Sequence, residues 1–174
     1  MTWCAELANW LGATTLRVLI LPRTTTDTWP MPTIMSLFVD TSALLAIIDA
    51  DQERHSEVAR VWHELLDRER VLFTSNYVLV ETFALVQRRL GLDATRELAS
   101  VVVPLLQPLW VEEAIHSAAV ASLVAAGRRQ LSLVDCASFE LMRRNGLTEA
   151  LALDRDFAEQ GFNLLPDPSA DTDP

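Results

Sequence analysis

Four acidic residues stand where a carboxylate can do chemistry. Asp40 directly follows an apolar run in FVDTS, and Asp154 follows another in ALALD. Asp135 lies in SLVDCAS near the start of a helical stretch, and Glu81 lies midway through YVLVETFALV. Each has a plain structural reading: Asp40 and Asp154 as caps of the helices that follow, Asp135 as a first-turn acid favoured by the helix dipole. Glu81 is harder to dismiss. Its apolar neighbours leave it partly buried at almost any rotation of a helix, and no Lys or Arg lies within five residues of it. A buried, unpaired carboxylate costs several kcal/mol, so something else must neutralise it. Four acids sharing one pocket would repel each other by about 4 kcal/mol per pair at ~4 Å and an effective dielectric near 20. A divalent cation reverses that sign. An all-oxygen set without His or Cys selects a hard ion, Mg²⁺ or Mn²⁺. Such a site polarises a phosphoryl oxygen and lowers the pKa of a bound water, which suits phosphodiester hydrolysis without a nucleophilic side chain.

Those acids need a scaffold that gathers them. Short, nearly continuous apolar runs at 36–39, 71–74, 108–111, 149–153 and 162–165 read as strands. Helical patterns occupy 41–49, 54–68, 76–91, a stretch from Asp93 limited by Pro104, 112–127, 131–146 after a short loop, and 154–160. Within 54–68, Val58, Val61, Trp62, Leu65 and Leu66 recur at helical spacing and give one apolar face. Asn76 is read as the cap of its helix and Gly91 as its stop, with Asp93 capping the next. Apolar strands separated by helices imply an α/β fold of three layers, a mostly parallel sheet of four or five strands covered on both faces. Ligands of such sheets sit at the carboxyl ends of the strands, where Asp40 and Asp154 project together.

The whole-chain figures set limits. A chain of 174 residues, 50% hydrophobic and 22% charged, supports one domain with a core and excludes global disorder. Residues 1–34 read as an appendage, with Met35 as an alternative start. Residues 35–166 form the domain, and 167–174 an acidic, disordered tail. Cys4 and Cys136 give no disulfide framework and suit a reducing cytoplasm. No apolar run reaches the roughly 18 residues of a membrane span. The net charge of −10 argues against binding nucleic acid by bulk positive charge. No P-loop or G-x-S-x-G motif is present.

The order of the acidic motifs carries a family resemblance. D-T-S after the first strand, E-T in the helix after the second, S-x-x-D before a later helix and D-R-D-F after the last long strand resemble the PIN-domain nucleases. Among them the sequence is most similar to the VapC-type toxins of bacterial toxin–antitoxin pairs, from roughly Met35 to Pro166. The resemblance implies that Asp40, Glu81, Asp135 and Asp154 are the catalytic, metal-binding set, with Asp156 a further ligand candidate. It assigns Thr41 or Ser42 to positioning a metal water or the first Asp, and Ser132 to supporting the cluster by hydrogen bonding. It also implies a Mg²⁺-dependent endoribonuclease of structured RNA, a homodimer, and a cognate antitoxin that blocks the site. One departure is Ala152, where the family often has Thr or Ser. Two other readings stay open: an RNA-processing nuclease with no antitoxin, and a PIN-like module that binds RNA or protein without cutting.

Remaining residues are weighed by position. The pairs Arg88–Arg89, Arg128–Arg129 and Arg143–Arg144 fall near helix C-termini, where they complement the dipole or contact RNA phosphates at the rim. Arg155, between Asp154 and Asp156, is the leading RNA-contact candidate, with Arg128 and Arg129 beside it. Apolar side chains of 54–68 and 42–50 are read as an antitoxin groove. His55, His63 and His116 form no i, i+4 ligand pair, and Cys136 reads as a small buried thiol.

Overall fold

The computed structural model describes residues 36–167. The expected appendage at 1–34, Met35, and the tail beyond Asp167 lie outside the described residues. Strands β1 (Ser36–Val39), β2 (Val71–Ser75), β3 (Leu106–Leu109), β4 (Glu149–Leu151) and β5 (Asn163–Leu165) form one sheet in the order β3-β2-β1-β4-β5. Every pairing is parallel. The helices are α1 (Thr41–Ile48), α2 (His55–Asp67), α3 (Asn76–Arg89), α4 (Leu92–Glu97), α5 (Glu113–Ala126), α6 (Leu133–Arg144) and α7 (Asp156–Glu159). A π-helical turn (Leu98–Val102) and a 3-10 turn (Val103–Leu105) join α4 to β3.

The central strand explains the order. Every residue of β1 is buried, as a strand covered on both faces requires. From β1 the chain steps outward to β2 and β3, then returns to the other side of β1 for β4 and β5. The order therefore reverses between β1 and β4, and in open parallel sheets that switch point opens a crevice at the carboxyl ends. Right-handed crossovers put the helices between β1 and β2 on one face and α7 on the other.

The amphipathic stripe of α2 is consumed by the core. Val58, Val61, Trp62 and Leu65 are buried, together with Leu44 and Ile47 of α1. These side chains face their own core, which leaves Leu45, Ile48 and Leu66 as the partly exposed apolar side chains of the two segments read as an antitoxin groove. The same core continues past β4. The Phe157 ring stands edge-on to Phe139 at 4.9 Å and stacks near Phe38 at 6.4 Å, and Phe139 stacks near Phe162. Phe157 anchors the turn that carries Asp154. Phe157→Leu is expected to cost about 1–1.5 kcal/mol of stability in a urea melt, with the fold retained.

Three local expectations are corrected. Ser75, not Asn76, caps α3: its hydroxyl accepts from the Val78 N–H, while the Asn76 Oδ1 accepts from the Val111 N–H at 2.7 Å. The first turn of α4 follows Gly91 at φ 87°, a left-handed conformation suited to glycine, and Asp93 pairs with Arg96 rather than capping. Strand β3 is Leu106–Leu109, two residues earlier than its apolar pattern suggested, because register with Leu72–Ser75 decides its limits.

Candidate active site

The carboxyl edge of β1 and its neighbours collects the four acids. Asp40 directly follows β1 as the cap of α1, donates its backbone N–H to Leu151 O of β4, and is only 4% exposed. Its Oδ2 accepts from both the Ser42 N–H at 3.0 Å and the Ser42 hydroxyl at 2.7 Å. The Ser42 Oγ in turn accepts the Leu153 N–H at 2.9 Å, which ties the end of β4 to the start of α1. Glu81 is reached from the same helix start, for the Thr41 hydroxyl donates to its Oε2 at 2.7 Å across 40 residues of sequence. Asp135 occupies the third position of α6 in a reciprocal capping box with Ser132. Asp154 accepts the Asp156 N–H at 2.9 Å in the turn into α7. Thus Asp40 caps α1 and Asp135 closes the capping box of α6, whereas α7 begins after Arg155 and Asp154 is not its cap. Ser42→Ala removes a group bonded on two sides and is expected to cost about 1–3 kcal/mol, read from the denaturation midpoint.

Electrostatics show how closely these groups are coupled. Burial, aided by the charge of Asp135 and opposed by the Ser42 hydrogen bonds, raises the Asp40 carboxyl to about 6. Asp135 is also raised, first by burial and then by the charges of Asp154 and Glu81, against the opposing bonds from Ser132. Asp135 thus lies within electrostatic reach of the other three: its charge raises Asp40, and the charges of Asp154 and Glu81 raise it.

Residues 37–163 match the PIN domain family. The chain belongs to the PIN-domain family. It is 36% identical over 129 residues to the 23S rRNA-specific endonuclease VapC20 of Mycobacterium tuberculosis, covering 72% of this chain and 95% of that protein. The crystal structure of VapC20, described as a sarcin–ricin loop cleaving toxin, superposes with a TM-score of 0.65 at 35% identity, covering 72% of this chain and 95% of that one. VapBC2 from Rickettsia felis, bound to a promoter DNA fragment, shares the fold at 13% identity and a TM-score of 0.57, over 75% of this chain and 97% of that one. This PIN domain is a homologue of the VapC-type toxin endoribonucleases.

The donor chemistry of this PIN domain fits a hard divalent ion. Its four carboxylates are oxygen donors, and a buried acid raised to about 6 gains from a cation when ionised. Among the described residues, no three Asp, Glu, His or Cys side chains form a ready-made ligand group. Each carboxylate is instead oriented by a local hydroxyl or amide, and a carboxylate has more lone pairs than these bonds use. The hydroxyls of Thr41 and Ser42 thus fall on the carboxylates of Glu81 and Asp40, and the Ser132 backbone N–H on that of Asp135, whose own N–H the Ser132 hydroxyl accepts. Ala152, by contrast, is buried and offers no hydroxyl.

The fifth acid stands apart. Asp156 is nearly buried, and Arg128 Nη2 lies 2.8 Å from its Oδ1, with Nη1 at 2.7 Å from Glu159. Asp156 is thereby neutralised from within, and Arg128 is engaged with protein carboxylates. The pairing spans 28 residues and left no local signal in the sequence. Arg155 and Arg129 are exposed. His63 bonds the Ala59 carbonyl one turn earlier, and Cys136 is buried with its thiol pushed up by burial, then by Asp135 and Asp156.

Proposed function

We propose that this PIN domain is the metal-dependent endoribonuclease of a toxin–antitoxin pair and that it cuts a structured RNA, the sarcin–ricin loop of 23S rRNA. What supports the reading is that Asp40 and Asp154 follow β1 and β4, that Thr41 beside Asp40 bonds Glu81, and that Asp135 lies within electrostatic reach of all three. Kinship to VapC20 over 95% of that protein's length supports the substrate class. Asp40, Glu81, Asp135 and Asp154 would hold Mg²⁺ or Mn²⁺, which when bound supplies a Lewis acid and an activated water for in-line hydrolysis. The Thr41 hydroxyl orients Glu81, Ser42 orients Asp40, and the Ser132 backbone N–H orients Asp135, so these carboxylates are set before substrate arrives. Asp156 serves the site by fixing the turn of Asp154 through its own N–H, with Arg128 balancing its charge.

Arg155 and Arg129 supply exposed positive charge for RNA phosphates on the β4 side, which a net-acidic chain needs locally. A cognate antitoxin silences the enzyme by placing a cationic side chain among the same carboxylates. The toxin acts as a homodimer in the cytoplasm, where its RNA and ion are found. Among the described residues no helix is long and apolar enough to cross a membrane. The test is incubation of the purified chain with an RNA carrying the sarcin–ricin loop, in Mg²⁺ and in EDTA. One discrete cut that requires Mg²⁺ is expected. An intact loop under both conditions contradicts the assignment.

A further inference from the structure

We propose that Trp110 forms a stacking platform for an unpaired nucleobase of the RNA substrate, an inference that rests on the ribonuclease reading above. Among the described residues, the exposed large hydrophobic side chains are Val80, Leu92, Trp110, Val120 and Val124, and Trp110 alone of them is aromatic, at 60% exposure. It directly follows β3, whose last residue Leu109 pairs with Ser75, the cap of the helix that carries Glu81. The β1–β2 register brings Asp40 level with that same Ser75. Trp110 therefore stands at the catalytic edge, two strands from β1, or roughly 10 Å by strand spacing.

The position is held firmly. The Val111 N–H donates to Asn76 Oδ1 at 2.7 Å, so the chain on either side of this bond presents Trp110 from one segment and Tyr77 from the other. Tyr77 lies one helical turn before Glu81, on the same side of α3. Its hydroxyl meets His116 Nδ1 at 2.8 Å and the two rings stand edge-on, 6.1 Å apart, which fixes the phenol at the start of α5.

The charge around the platform selects which part of RNA it takes. Glu112 and Glu113 are exposed immediately after Val111 and repel phosphate. A base has a neutral π-face, and aromatic stacking accepts any base. The exposed arginines Arg129 and Arg155 lie towards the β4 side. The strand thus crosses the carboxylates with its phosphates drawn to the β4 side and a base splayed onto the β3 side.

The experiment is steady-state cleavage of an RNA substrate by the full chain in Mg²⁺, comparing wild type, Trp110→Ala and Trp110→Phe. Trp110→Ala is expected to raise KM about 5- to 100-fold with kcat little changed, and Trp110→Phe to recover most of the loss. Substrates with a single abasic nucleotide, scanned along the loop, identify the stacked base: at that position Trp110→Ala causes no further loss. An unchanged KM in Trp110→Ala overturns the platform while leaving the ribonuclease reading intact. So does a change in solution mass by light scattering with KM preserved, which assigns Trp110 to a protein interface. A wild-type chain that neither binds nor cuts RNA overturns both readings together. A Trp110→Ala chain that fails to fold leaves Trp110→Phe and the abasic scan on wild type to decide: the platform requires one nucleotide whose base, when removed, raises KM by the same factor.

Discussion

Asp40→Asn is expected to lower RNA cleavage on the order of 10³-fold and, in the absence of metal, to make the protein harder to unfold at pH 7. The two effects have one cause. Burial raises the Asp40 carboxyl to about 6, whereas in the unfolded chain it titrates near 3.8. Between those values the folded protein binds the extra proton, so its stability falls as pH rises from about 4 to 6 and stays lower above. Two pKa units correspond to about 3 kcal/mol at neutral pH. Asparagine keeps the shape and the hydrogen bond from Ser42 and has no charge to desolvate. It also loses the anionic oxygen that a divalent ion requires. Thermal melts from pH 4 to 8 in EDTA check this: the wild type should lose stability through that window relative to Asp40→Asn. A variant that is active, or one whose stability tracks the wild type at every pH, goes against the account.

Mg²⁺ added to metal-free protein at pH 7.5 is expected to restore cleavage from zero and to raise the melting temperature. At a hundredfold excess over its dissociation constant a bound ion contributes about 2.7 kcal/mol, or roughly 10 °C for a domain of this size. The shift should shrink at pH 5, because protons then compete for Asp40 below its folded pKa of about 6. It should shrink at neutral pH in Asp135→Asn, since Asp135 couples to the other three carboxylates. Equal shifts at both pH values would place the ion somewhere else.

The parts of this fold that were legible in the sequence are those with strong local pattern. The strand SLFV was readable because every residue is apolar or small and all four are buried, and Gly127 ended α5 as a left-handed cap at φ 59°. Asp40, Asp135 and Asp154 could be placed at helix starts because each follows or opens a punctuated segment. What the sequence hid depends on partners far along the chain. Asn76 looked like a cap because its bond to Val111 crosses 35 residues. Asp156 was a ligand candidate through the family resemblance alone, and its pairing with Arg128, which enters from the loop after α5, left no trace in the local sequence. The stripe of α2 suggested a partner groove, but an amphipathic face does not say whether it packs on its own sheet or on another chain.

The claim beneath all of this is that Asp40, Glu81, Asp135 and Asp154 act as one cation-binding group. Calorimetric titration of metal-free protein with Mn²⁺ at pH 7.5 measures that directly, in wild type and in Asp135→Asn checked for native folding. Saturable binding in the wild type, weakened by at least tenfold in the variant, is the predicted result. Equal affinity in the two proteins, or no binding to either, contradicts it.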